Sequence, residues 1–278
     1  MSQKLLGDPG TPPQVAQAAG APAVRGAAVA QDPDSLWRAL RERASARYRA
    51  AGRFTWHFAR GKLRMDPVFR SMLERGDLSG RQRVLDLGCG QALLASLMQA
   101  CTEVEGEGRW PAAWPRAPRP TRYTGVELMP RDVARAQPAL SALGFDARVI
   151  CADMQQVELP ACDVVVILDV LHYIGYEAQA DLLARIRTAL TRHGRLLLRV
   201  ADTDDVRNFA ITRWVDRIVT AVRGHRVPPT WCRSVTQWKE LLQGLGFTVE
   251  ALPMHRGTPF ANVLLVADRV DGSAAGSA

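Results

Sequence analysis

A glycine-rich turn that joins an apolar strand to a helix is the most specific pattern in this chain, and it reads RVLDLGCGQA at residues 83–92. Gly88 and Gly90 can adopt backbone angles closed to other residues, and neither places a side chain between backbone and ligand. A dinucleotide-binding turn would carry Gly or Ala at position 93, where this chain has Leu93. No GKS or GKT follows, so a phosphate-binding P-loop is not indicated. The turn predicts a nucleoside site that needs no pyrophosphate cradle.

Two acidic residues stand where later strands of the same sheet would end. Glu127 closes the run YTGVE, where a carboxylate can accept hydrogen bonds from both ribose hydroxyls. It lies farther from the glycines than the usual spacing of about 20 residues, and a proline-rich stretch at 102–121 accounts for the excess. Asp153, in VICADM, comes one turn beyond the third strand. The alternatives are a solvated loop acid for Glu127 and a helix N-cap for Asp153.

A polar cluster follows the fourth predicted strand, in VVVILDVLHYI at 164–174. Open α/β sheets bind ligands at this edge, so Leu168 and Asp169 should border the reacting group. His172 is the candidate general base, because an imidazole can take up a proton near neutral pH. Alternatively His172 only orients the loop, which we favour. Tyr173 is similarly ambiguous, and we predict it as a candidate substrate contact.

The segment DLGCGQA resembles the first motif of the class I S-adenosylmethionine-dependent methyltransferases, D/E-x-G-x-G-x-G, with Ala92 in place of the final glycine. The resemblance covers residues 83–200 motif by motif and extends to 268 as topology. It implies S-adenosyl-L-methionine as cofactor, with Asp86 orienting the methionine moiety and Asp153 receiving the adenine amino group beside Met154. The cofactor-binding residues that we predict are Asp86, Gly88, Cys89, Gly90, Glu127, Leu128, Asp153, Met154, Leu168, Asp169 and Lys62.

Aromatic and basic residues cluster just before the glycine turn, at Trp56, His57, Phe58, Arg60 and Lys62. Lys62 could pair with the cofactor carboxylate, and Trp56 and Phe58 could hold an apolar or aromatic substrate. Ordinary packing within the N-terminal region is the alternative, and the sequence does not separate the two.

The reaction that these residues suggest is methyl transfer to oxygen or carbon of a small molecule. Transfer from a sulfonium needs alignment and water exclusion more than strong acids or bases. The NPPY or DPPY motif that the family associates with amino-group acceptors is absent, and LDVLHY stands instead. Alternatives are an RNA or protein methyltransferase, a catalytically silent cofactor-binding relative, and, least favoured, a nicotinamide-dependent oxidoreductase.

The elements that must position these residues form a doubly wound α/β sheet of the Rossmann-like type. Short apolar runs alternate with amphipathic stretches from Arg83 onward, which indicates a mostly parallel seven-stranded sheet whose last strand is antiparallel. Predicted strands are 83–87, 123–127, 147–151, 164–168, 195–200, 247–252 and 263–267. Predicted helices are 93–100, 130–143, 177–190, 205–222 and 235–245, and residues 102–121 are predicted to be an irregular insertion.

An N-terminal helical cap should precede the sheet. Apolar residues recur at helical spacing from Leu36 to Tyr48, with Asp34 or Ser35 as N-cap, and a second helix should follow Asp66 and end at Gly76. We therefore divide the chain into a disordered segment at 1–34, the cap at 35–80, a cofactor-binding domain at 81–269 and a flexible tail at 270–278.

Composition limits the partners that we expect. The net charge of +8 is concentrated in residues 1–75, which carry 13 Lys/Arg against 6 Asp/Glu, so we favour a solvated basic surface over nucleic-acid binding. Five cysteines form no CxxC pair, which predicts reduced thiols and no metal site. No apolar run approaches the roughly 20 residues that span a bilayer, and no signal peptide is recognisable, so we expect a cytoplasmic protein.

Overall fold

The computed structural model describes residues 32–202, 230–254 and 262–270. Their centre is a seven-stranded sheet in the order β3-β2-β1-β4-β5-β7-β6, in which β7 runs antiparallel to both neighbours. The strands are β1 (Arg83–Leu87), β2 (Arg122–Glu127), β3 (Asp146–Cys151), β4 (Cys162–Leu168), β5 (Leu190–Ala201), β6 (Phe247–Pro253) and β7 (Asn262–Arg269). This confirms the predicted fold class. β5 begins at Leu190 rather than Arg195, because Leu190 pairs with Cys162 ahead of an irregularity in the register.

Four helices flank the sheet in the described residues after β1: α4 (Leu93–Gly106), α5 (Pro130–Leu140), α6 (Tyr176–Ala189) and α7 (Val235–Gly244). The prediction was wrong for the first five residues of the 102–121 insertion, which continue α4. The helix can extend there because the prolines begin only at Pro111. The helix predicted at 205–222 lies outside the described residues.

Two hydrophobic clusters cover the two faces of the sheet. Alternate residues of a strand point to opposite faces, so Val84 and Val164 join the cluster shared with the cap, α4 and α5. Leu85 and Val165 join the cluster shared with α6 and α7. The parallel strands are thereby buried on both sides, and their carboxyl ends meet at one edge.

The cap contains three helices: α1 (Pro33–Ala46), α2 (Arg53–Met65) and α3 (Pro67–Glu74). α1 begins earlier than predicted, since the N-cap is Asp32, whose carboxylate accepts from the Ser35 amide at 3.1 Å. Neither Asp34 nor Ser35 is the cap, and the boundary at 34 falls inside the helix. α2 was not predicted, whereas α3 starts after Asp66 as expected, with Asp66 as its N-cap.

Buried hydrogen bonds join the cap to the first helix of the sheet domain. The hydroxyl of Tyr48 donates to the carbonyl of Gln91 at 2.7 Å, and the hydroxyl of Ser96 donates to the carbonyl of Ala44 at 2.8 Å. The cap thus rests against the glycine turn. Among the described residues no helix is long and apolar enough to cross a membrane, and the cytoplasmic location stays a prediction.

Candidate functional site

The glycine turn after β1 forms a cradle at the carboxyl edge of the sheet. Gly88 and Gly90 have φ values of +71° and +55°, in the left-handed region that favours glycine. A Cβ atom on Gly88 would lie 2.6 Å from a methyl group of Val170, so a side chain has no room there. At Gly90 no atom lies within 4 Å of the same position. The backbone at Gly90 therefore faces open space that a flat ligand can occupy.

Ala92 occupies the position of the last motif glycine and adopts the left-handed conformation with φ of 57°. It is the N-cap residue of α4, and its side chain is buried. This conformation costs an L-residue about 1–2 kcal/mol. Ala92 thus keeps the backbone shape that the motif glycine would give the turn, at an energetic cost.

Asp86 lies beneath the turn with only 5% of its surface exposed. Its carboxylate accepts a hydrogen bond of 2.7 Å from the hydroxyl of Tyr123, which is also buried. Burial raises the pKa of Asp86 to about 7, against the lowering effect of the Tyr123 hydrogen bond and with a further rise from Glu127. A cationic ligand group close to Asp86 would favour its ionised form. Sequence reasoning missed Tyr123.

Glu127 ends β2 and connects two loops through its carboxylate. Oε2 accepts from the amide of Gly90 at 2.8 Å, and Oε1 accepts from the amide of Met129 at 2.9 Å. A carboxylate has about four lone-pair directions, so each oxygen can still accept a ligand hydroxyl. Leu128 beside it is 61% exposed, an unusual environment for a large apolar side chain.

Asp153 lies near the end of β2, because the amide of Ala152 donates to the carbonyl of Glu127 at 3.1 Å. The Asp153 carboxylate accepts from the amide of Gln155 at 2.9 Å. Asp153 therefore caps a short turn rather than a helix. This contact resembles the helix N-cap that was the alternative role for Asp153. Met154 is half-buried and packs on the cluster shared with α6 and α7.

A charge cluster built on the buried pair of Arg199 and Asp66 lies where β4 and β5 end. Asp169 follows Leu168 with φ of 62°, and its carboxylate accepts two hydrogen bonds from Arg199, which is 2% exposed. The same guanidinium donates to both oxygens of Asp66 at 2.5 and 2.8 Å. Lys62 contacts Asp66 at 2.7 Å and Asp169 at 3.8 Å. The ammonium group predicted for the cofactor carboxylate thus pairs with two protein carboxylates.

Each charged group of this cluster stabilises the ionised form of its partners. Burial opposes the charge on Asp66, but Arg199 and Lys62 outweigh it and hold the pKa of Asp66 well below its usual range. Burial also opposes the charge on Arg199, and its two carboxylates raise its pKa above the usual value. Sequence reasoning missed Arg199 and Asp66, although a charged residue inside the apolar run LLLRVA was a signal of a buried ion pair.

His172 and Tyr173 lie on a 3-10 turn, Leu171–Tyr173, which follows Asp169 in the chain. Their rings approach with centroids 4.1 Å apart. The carbonyl of His172 accepts a hydrogen bond of 2.8 Å from the amide of Trp231, which joins this turn to the segment before α7. Burial lowers the pKa of His172, and Asp169 acts in the opposite direction. The neutral imidazole is thus favoured at pH 7.

The family of the chain follows from its sequence match. A family model described as "Methyltransferase domain" matches residues 30–252. The chain belongs to this methyltransferase family. The match confirms the predicted resemblance, and the order of the strands is that of the Rossmann-like methyltransferase fold. A search of curated protein sequences found no significant match.

Solved structures similar to this methyltransferase share its fold at low identity. The apo S-adenosylmethionine-dependent methyltransferase SibL superposes with a TM-score of 0.55 at 21% identity, covering 78% of this chain and 58% of SibL. Mitomycin 7-O-methyltransferase MmcR gives 0.55 at 22% identity, covering 84% of this chain and 60% of MmcR. Magnesium protoporphyrin IX methyltransferase from Synechocystis PCC 6803, with bound SAH, gives 0.52 at 17% identity, covering 86% of this chain and 100% of that chain.

The methyltransferase spans less than two thirds of SibL and MmcR. These structures show the fold, and the family match supports S-adenosyl-L-methionine as the cofactor. The open cradle at Gly90 and the acids Asp86 and Glu127 fit that group: a flat nucleoside needs backbone without side chains, and its ribose needs a carboxylate.

Trp56 and Phe58, predicted to contact the substrate, are half-buried. They pack against the hydrophobic cluster shared with the cap, α4 and α5. The guanidinium groups of Arg49 and Arg60 lie 5.3 and 5.8 Å from the centroid of the Trp56 ring. These contacts fit the alternative of structural packing. A substrate role for the two aromatic residues stays a prediction.

Proposed function

We propose that this methyltransferase moves a methyl group from S-adenosyl-L-methionine to oxygen or carbon of a small apolar or aromatic metabolite. The observation that carries the proposal is the open cradle at Gly90, whose amide is fixed by the carboxylate of Glu127 at 2.8 Å. A nucleoside placed there has a carboxylate beside its ribose and Leu128 beside its base.

Each end of the cofactor would meet a different residue. The buried carboxyl of Asp86 suits the amino group of the methionine moiety, because a cation compensates the desolvation that raises its pKa. Glu127 would take the ribose hydroxyls, and Asp153 with Met154 would border the adenine. Leu168 and Asp169, at the end of β4, would border the methyl group.

The chain's own residues contribute alignment and exclusion of water, while the cofactor supplies the methyl group on a sulfonium. Arg199 fixes the Asp169 carboxylate, and its bond to Asp66 connects the cap with the edge of the sheet. A cap held in this way limits access of water to the edge, which favours an in-line displacement between oriented reactants. His172 would shape the loop beside the acceptor.

The acceptor class rests on two supports. The chain has LDVLHY in place of the motif associated with amino-group acceptors. Two solved structures with a similar fold are a mitomycin 7-O-methyltransferase and an O-methyltransferase family protein from Burkholderia thailandensis. We therefore infer an oxygen or carbon acceptor on a small molecule.

Calorimetric titration of the full chain separates this proposal from a nicotinamide enzyme. S-adenosylhomocysteine should bind at one site per chain, and NADH should not bind at all. Incubation with S-adenosylmethionine and a panel of phenols, enols and carboxylic acids should then yield a product heavier by one methyl group. Saturable NADH binding without a response to S-adenosylhomocysteine would overturn the proposal. Cofactor binding without any methylated product would favour a silent relative.

A further inference from the structure

A cavity of about 540 Å³ opens on the side of the cap, between α1, the end of α2 and α3. It is separate from the glycine turn, none of whose residues line it. Its volume lies in the range of about 300–1,000 Å³ that is common for small-molecule sites. Four arginines line it: Arg38, Arg41, Arg64 and Arg70.

The acidic residues that line this cavity, Asp34, Asp66 and Glu74, each form an ion pair with an arginine. Arg70 pairs with Asp34 at 2.6 Å and with Glu74 at 2.7 Å. Asp66 lines the cavity too, but Arg199 holds both of its oxygens from the side of the sheet. None of these ion pairs involves the other three arginines of the cavity.

Three arginines of the cavity, Arg38, Arg41 and Arg64, have no carboxylate within 4.0 Å in the part of the chain that the structure describes. The half-buried Arg41 lies over the ring of Trp37, 5.9 Å from its centroid. Its Nε atom is shielded from solvent and has no acceptor among the described residues. Burial, and then the nearby charge of Arg64, lower the pKa of Arg41. A cation shielded from water beside like charges favours the binding of an anion.

We propose that this cavity binds the phosphoryl group of a small anionic ligand. The planar fork of a guanidinium matches phosphate oxygens in pairs, and Arg41 on α1 and Arg64 on α2 both line the cavity. The indole of Trp37 and the side chain of Met65, which is 72% exposed, offer apolar contact to the rest of the ligand. This site is distinct from methyl transfer and does not rest on the proposed function.

A small ligand fits the cavity better than a nucleic-acid strand does. A strand is bound by a stripe of cations that follows its backbone, whereas here the free cations converge in one concave site. RNA binding remains the competing outcome of the experiment below.

Titration of the full chain with sodium pyrophosphate at constant ionic strength tests the site by calorimetry. We expect one pyrophosphate per chain, and a loss of affinity of about tenfold or more in Arg41→Gln and in Arg64→Gln, because each removes charge-assisted hydrogen bonds. Arg53→Gln is the matched control, an exposed arginine at the opposite end of α2. It should change the affinity less than twofold, and all three variants should bind S-adenosylhomocysteine as the parent does.

Several outcomes would overturn the phosphoryl site. These are the absence of saturable pyrophosphate binding, an equal loss in the Arg53→Gln control, and binding of a short single-stranded RNA that depends on Arg64 while pyrophosphate does not bind. If Arg41→Gln fails to fold, Arg64→Gln decides alone, since Arg64 is exposed and its side chain packs little. Failure of S-adenosylhomocysteine to bind the parent would contradict the proposed function without affecting this inference.

Discussion

Arg199 in β5 donates two hydrogen bonds to Asp66, the residue that caps α3, and so fastens the N-terminal cap to the carboxyl edge of the sheet. The two residues are 133 positions apart in the chain. Asp169, which completes the cluster, holds a left-handed backbone that is costly for a residue other than glycine. The cap, the loop after β4 and the end of β5 therefore depend on one guanidinium.

Arg199→Met should lower the free energy of unfolding by about 3–5 kcal/mol, because it leaves two carboxylates without their buried cation. Urea unfolding at pH 7 measures this loss. The depressed pKa of Asp66 makes the pair's contribution complete above the usual aspartate pKa of 3.8, and it is lost as pH falls through the lower folded value. The parent should therefore lose this stability in acid, and the variant should lack that part of the loss.

The matched control for Arg199 is Arg122→Met, since Arg122 pairs with Asp146 at 3.2 Å while both side chains are mostly exposed. It should change stability by less than about 1 kcal/mol. Equal effects of the two variants would show that the buried cluster contributes no more than a surface pair.

Ala92→Gly should stabilise the fold by about 1 kcal/mol, because glycine adopts the left-handed conformation at this position without the steric cost that Ala92 bears. Ala95→Gly is the control, a buried alanine inside α4, and it should destabilise by about 0.5–1 kcal/mol. Thermal unfolding of both variants decides the question. A loss of stability in Ala92→Gly would mean that the packing of the Ala92 methyl group contributes more free energy than the left-handed backbone costs.

Binding of S-adenosylhomocysteine at pH 7 should release up to about half a proton per chain, because a carboxyl group with a pKa of about 7 is half protonated there. Burial raises the pKa of Asp86 to about 7 in the free protein, and the ligand's amino group should lower it again. Calorimetry at pH 7 in buffers of different ionisation enthalpy detects the proton, and at pH 9 the release should vanish because Asp86 is already ionised.

Asp86→Asn should abolish this proton release while it keeps an oxygen that accepts from Tyr123. The raised pKa of Asp86 also makes the stability of the folded protein depend on pH. The contribution of protonated Asp86 to the free energy of unfolding is complete below the usual aspartate pKa of 3.8 and is lost as the pH rises through about 7. Proton release that persists in the Asn variant would assign the titration to another group.

The strands were predictable because apolar runs and glycines leave a local signal, and Arg83–Leu87 was placed to the residue. The charge cluster was not, because Asp66 and Arg199 meet only after the cap folds onto the sheet. Lys62 was predicted to pair with the cofactor carboxylate, whereas it forms an i,i+4 ion pair with Asp66 and a tertiary contact with Asp169. α2 was not predicted because its buried residues, Thr55, Ala59 and Leu63, recur at helical spacing but include only one large apolar side chain.

Glu127→Ala should weaken binding of S-adenosylhomocysteine by about 1–3 kcal/mol, because the ribose hydroxyls lose a charged acceptor. The structure adds a second cause, since the amide of Gly90 loses its partner at 2.8 Å. Glu127→Gln separates the two: its amide oxygen can still accept from Gly90, so the turn should persist while the charge is lost. Its affinity should fall between those of the parent and the Ala variant, and parent-like affinity in the Ala variant would show that the ribose binds elsewhere.

His172→Ala distinguishes a general base from a residue that shapes the loop. We expect the second role: the carbonyl of His172 accepts a hydrogen bond from the amide of Trp231, and its ring contacts the ring of Tyr173. We expect weaker acceptor binding, an unchanged shape of the pH profile of kcat and little change in cofactor affinity. A general base would give a different result: the rate would fall by about 100-fold or more, and the residual activity would rise with pH as the acceptor ionises unaided. Burial lowers the pKa of His172, so the acidic limb that it would impose lies below its ordinary value of 6.5. Loss of that limb in His172→Ala, with binding intact, would establish proton abstraction by His172.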